Sequence, residues 1–154
     1  MPASPPHTSL VVLAGAAVCH LTVSLGSTAF FVAKFGSFSM PAALAWASGV
    51  AFFAACYIML IGVPVALLLY RFTARKPVWF AVVVFAVGGG LTGLLPVLGN
   101  MAFISVAAAP LGAVGAAVGR AAAEGVASRP KALGFVLAVS ALTLVLTSLS
   151  LLPS

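Results

Sequence analysis

Acidic side chains are all but missing from this sequence: Glu124 is the only one in 154 residues. A single carboxylate cannot build a general acid/base pair, a Ser-His-Asp triad or a carboxylate-rich cation site. Histidine is nearly as scarce, with His7 and His20 alone, and Cys19 and Cys56 stand apart with no CxxC spacing and no Cys/His cluster around them. That pattern argues against a disulfide framework and against any bound metal. His7 lies ahead of the first apolar run, too far from His20 in depth to share a haem with it. The expected protein is therefore not an enzyme and carries no cofactor. Charged residues of both signs make up 5% of the chain, where a soluble domain carries roughly a quarter. No water-soluble surface can be assembled from it.

The formal charge of +6 comes from a few Lys and Arg residues placed in short gaps between apolar runs. Nucleic-acid binding needs a phosphate-neutralising stripe on one face, and none is present. Charges in such gaps fix membrane topology and touch anionic lipid headgroups instead.

What the chain does have is apolar length, with 64% hydrophobic residues. A helix needs about 20 apolar residues to cross hydrocarbon roughly 30 Å thick at 1.5 Å per residue. That ruler gives five spans, over residues 9–33, 42–70, 78–95, 101–119 and 132–152. The fold class expected is all-α, a polytopic transmembrane bundle of about five spans in one domain, with no soluble domain. The first run is too long for a signal peptide and lacks a basic region before it. Val18 also precedes Cys19 where a lipid-modification site takes a small residue, so the run reads as a retained anchor. Pro64 is expected to bend the second span. Pro96, Gly99 and Asn100 divide a long apolar stretch into a hairpin, the third and fourth spans, and Pro110 is expected to kink the fourth. Residues 120–131 read as the most polar loop.

Arg71, Arg75 and Lys76 precede that hairpin, and Arg120, Arg129 and Lys131 follow it. A full hairpin puts both basic loops on one side, which the positive-inside rule makes cytoplasmic. The expected setting is a bacterial inner membrane, with the amino terminus inside and the carboxyl terminus outside. Lys34 falls on the outer side and opposes this assignment, but three cations in each inner loop outweigh it.

Gly88 to Gly93 spells the dinucleotide pattern GxGxxG. That pattern works only between a strand and a helix of a soluble βαβ unit, and here it lies within an apolar span. Glycines at small-xxx-small spacing serve close helix packing. Gly89 and Gly93 form one such pair, Gly115 and Gly119 another, and Ala108, Gly112 and Ala116 a further small ridge. The third and fourth spans are expected to make the tightest contact.

Polar candidates within the spans are His20 with Ser24 and Ser27 at i+4 and i+7, and a stripe of Ser140, Thr143, Thr147 and Ser150 on the last helix. Polar groups at such depth face the bundle interior. Converging, they would line a proton or ion path, since imidazole titrates near neutral pH. Without an intramembrane carboxylate or Arg to pair with, His20 reads first as a hydrogen-bonding group across the bundle, and the hydroxyls as interhelical or own-helix bonds.

The stretch Leu60-Ile61-Gly62-Val63-Pro64-Val65-Ala66-Leu67-Leu68-Leu69-Tyr70-Arg71, followed by Trp79 and two Gly/Ala-rich helices, resembles a layout that recurs among small uncharacterised bacterial inner-membrane proteins. The resemblance covers the middle of the chain and implies a location without an activity; the final helix departs from the layout. Taken together, the expected function is that of a small non-catalytic membrane protein. It would act through helix–helix contacts with a membrane-protein partner, as an accessory subunit or an immunity-type protein, or as a homo-oligomer. The alternative is an oligomeric small transporter or channel.

Overall fold

The computed structural model describes residues 7–35, 40–98 and 102–150. Among these residues there is no strand, and the helices are α1 (Thr8–Phe35), α2 (Met40–Tyr57), α3 (Val63–Thr73), α4 (Val78–Leu98), α5 (Ala102–Ala127) and α6 (Pro130–Ser150). A π-helical turn, Ile58–Gly62, joins α2 to α3, so that the two make one rod and the bundle has five. The protein is an all-α bundle. The hairpin residues Gly99 and Asn100 lie outside the described residues, as do most of the loop before α2 and the last residues of the fifth expected span.

Among the described residues, three helical stretches are long and apolar enough to cross a membrane: Thr8–Ala33, Ala45–Thr73 and Val78–Leu95. Large apolar side chains cover their outer faces, among them Leu25, Phe53, Leu60 and Leu91. That is the surface of a protein whose outer solvent is lipid. These three match the first three of the five expected spans, and the fourth and fifth extend into residues outside those described. In α6 the described apolar run is the shorter Pro130–Leu146.

Helix α5 is the centre of the bundle, flanked antiparallel by α4 on one side and α1 on the other. Small residues permit both approaches. A Cβ on Gly93 would stand 2.5 Å from the Ala108 carbonyl oxygen, and one on Gly112 would stand 2.5 Å from that of Gly89. A Cβ on Gly89 would meet the Gly112 carbonyl and Ala116. Gly115 and Gly119, grouped in the sequence with the α4 contact, turn to α1 instead. A Cβ there would lie 2.7 Å from Val23 Cγ2 and 2.6 Å from the Gly15 carbonyl oxygen respectively. Residues three apart on a helix point about 60° away from one another, so one helix offers each neighbour its own small ridge.

At Pro64, where the sequence suggests a bend, the structure has a π turn. Proline gives no N–H and crowds the carbonyl four residues back. The wider turn, in which the Val63 N–H bonds the Ile58 carbonyl, takes up the mismatch.

The polar loop expected over 120–131 is a correction: α5 continues to Ala127 and α6 begins at Pro130. Alanines at 121–123 favour helix, Arg120 pairs with Glu124 one turn on at 2.8 Å, and Ala123 and Ala127 pack on Val11 and Ala14. Pro130 suits the first helical position, where its missing N–H has no intrahelical acceptor.

Candidate functional site: a polar node within the bundle

His20 sits near the middle of α1 and is 3% exposed. Its Nε2 lies 3.2 Å from the Ala51 carbonyl oxygen on α2, and its Nδ1 lies 2.8 Å from Ser140 Oγ on α6. A carbonyl can only accept, so Nε2 carries the hydrogen; in the neutral ring Nδ1 is then left to accept from the Ser140 hydroxyl. One imidazole therefore ties three helices together, with both ring nitrogens used.

Only part of the sequence's polar set converges here. Ser140 joins His20 directly. Ser24, one turn along α1, is buried and its Oγ has no hydrogen-bond partner. Ser27 is half-buried. Thr143 bonds the Val139 carbonyl of its own helix at 2.8 Å, and the Thr147 side chain lies outside what the structure describes. Thr22, Thr28 and Thr73 likewise bond carbonyls four residues back. Two shallow depressions among the described residues lie elsewhere. One is at the α5–α6 turn around Arg129 and Lys131. The other is an apolar groove on the outer face of α4 and α5, where Gly90 lies between Ala109 and Ala113. No group of three or more His, Cys, Asp or Glu side chains gathers among the described residues.

Two further polar positions come only from the structure. The Tyr57 hydroxyl donates to the Thr92 carbonyl on α4. Within a regular helix that carbonyl would receive the N–H of residue 96, but residue 96 is proline, so Pro96 leaves the acceptor open and Tyr57 fills it. Arg120 is 5% exposed and lies over the rings of Tyr70 and Phe85, 5.5 and 5.9 Å from their centroids. Its Nη2 bonds Glu124, and its Nε is buried without a partner. A basic residue at the edge of an apolar run signals a membrane boundary in sequence, and nothing there marks this one as buried.

Comparison with known proteins finds no matching family model, no matching curated protein and no matching solved structure.

Proposed function

We propose that the chain is a small, non-catalytic integral protein of a bacterial inner membrane that acts by binding another membrane protein through its helices. The observation that carries this reading is the use of the interior polar groups. His20 and Ser140 bond each other across helices, and Thr22, Thr28 and Thr143 bond carbonyls of their own helices, so these groups are already occupied where a conduit would leave them open. The outer surface offers contact in its place. In the α4/α5 groove, Ala86, Gly90, Ala109 and Ala113 leave space beside Leu91 and Leu94, and small residues are what allow one membrane helix to approach another.

In this reading α5 and α6 also cross the bilayer. At 1.5 Å per residue they are about 39 and 31 Å long, against hydrocarbon of roughly 30 Å. Both basic turns then face the cytoplasm, with the amino terminus inside and the carboxyl terminus outside. A photoreactive residue in place of Leu91, used in intact membranes, tests the reading. The expected product is one defined cross-linked membrane protein. Cross-links to lipid alone contradict it, and a product at twice the chain's own mass replaces the partner with a homo-oligomer.

One observation favours a second reading, an oligomeric transporter. Ser24 holds a buried, unpartnered hydroxyl one turn from His20, a position from which it would face a permeant ion or water. Flux through reconstituted vesicles separates the two readings.

A further inference from the structure

Helix α2 rests on the bundle through small residues. Among the described residues of α2, Ala51 and Ala55 are the buried core residues, both small. It packs on α1 and α6, whereas α3, the other half of the same rod, packs on α4 and α1. Between the halves lies the π turn, in which no residue is buried and Met59 and Leu60 face outward. Pro64 denies this segment a regular hydrogen-bond ladder. A break in the ladder, flanked by segments with different neighbours, has the form of a hinge.

Two polar contacts hold α2 to the core across that break. The Ala51 carbonyl receives His20 of α1, and the Tyr57 hydroxyl, at the lip of the π turn, reaches the Thr92 carbonyl of α4. Stacking of Phe31 on Trp46, with centroids 4.5 Å apart, adds an apolar contact farther along α2. The Thr92 carbonyl is a suitable catch because Pro96 leaves it with no helical donor.

We propose that α2 is a flap, hinged at Ile58–Gly62 on the α1/α4/α5 core and latched by Tyr57 on the Thr92 carbonyl. Opening lengthens the distance from α2 to α4, uncovers His20, and leaves α3 in place. The proposal rests on the π turn and the Tyr57 contact and holds for either functional reading.

Spin–spin distance measurements in lipid nanodiscs test it, in a background with Cys19→Ala and Cys56→Ala. Labels at Phe53→Cys and Leu91→Cys, sites 73% and 62% exposed, report on α2 against α4. Labels at Leu68→Cys and Val83→Cys report on α3 against α4 as the control. With Tyr57→Phe, the longer-distance population of the first pair is expected to rise roughly threefold, the effect of one average interhelical hydrogen bond in a membrane, while the second pair stays unchanged. No change in either pair overturns the latch. Lengthening of both pairs means a general loosening and overturns the hinge. In the unmutated chain, amides of Ile58–Gly62 are expected to exchange with deuterium faster than those of the adjoining turns of α2 and α3, and equal protection also overturns it.

Discussion

At the scale of single residues, the polar side chains divide by how completely each is satisfied. His20 uses both ring nitrogens. His20→Gln keeps a donor and an acceptor and is expected to leave thermal stability near that of the parent. His20→Leu strands the Ser140 hydroxyl and is expected to cost roughly 1 to 3 kcal/mol, the usual penalty for a buried unpaired group. Equal melting of the two variants in detergent would show that the three-helix bond contributes nothing. Arg120 is the opposite case, a buried cation with one counter-ion that is itself 51% exposed. Glu124→Ala leaves the cation uncompensated and is expected to cost about 1 to 2 kcal/mol, less than a fully buried pair because Glu124 meets solvent. Adding Arg120→Leu is expected to restore stability. A double variant weaker than Glu124→Ala alone would contradict this assignment. In the sequence His20 was legible as an inward-facing group, since a lone imidazole in an apolar run has nowhere else to go. Arg120 was not, because burial against Tyr70 and Phe85 depends on α3 and α4 arriving beside α5. Tyr57 was not legible either, for its acceptor is a backbone carbonyl made available by a proline on another helix.

At the scale of elements, helix packing is governed by where a Cβ is forbidden. Gly89→Leu or Gly93→Leu drives a side chain into the backbone of α5 and is expected to cost about 1 to 3 kcal/mol or more, with loss of yield in detergent. Gly90→Ala is the contrast, because its Cβ would meet Ala113 at an ordinary 3.5 Å. Its melting temperature is expected to stay near the parent value. If all three substitutions behave alike, the α4–α5 contact does not run through the Gly89/Gly93 face. That ridge could be read from spacing, since glycines one helical turn apart in an apolar span serve close approach. The partner of Gly115 and Gly119 could not. Spacing fixes which residues share a face, and only the assembled bundle decides that this face meets Gly15, Cys19 and Val23 of α1. The π turn was legible only as a bend at Pro64. Whether a helix meets a proline by kinking or by widening a turn depends on what packs beside it.

At the scale of the whole molecule, apolar length and sparse charge define the class of fold, and the distribution of Lys and Arg carries the proposed orientation. A reporter placed after Ser154 is expected to be active only outside the membrane, and one inserted between Arg71 and Pro77 only inside. Activity of both on one side would remove the odd number of crossings. The central claim is that the interior polar groups hold the helices together and do not conduct. Proton flux into vesicles loaded with a pH-sensitive dye, compared for the parent chain, His20→Gln and empty vesicles, tests this most directly. The account predicts no flux above the empty vesicles for either protein. PH-driven flux through the parent that His20→Gln abolishes, while that variant melts normally, would contradict it and make the His20–Ser140 node a conduction site.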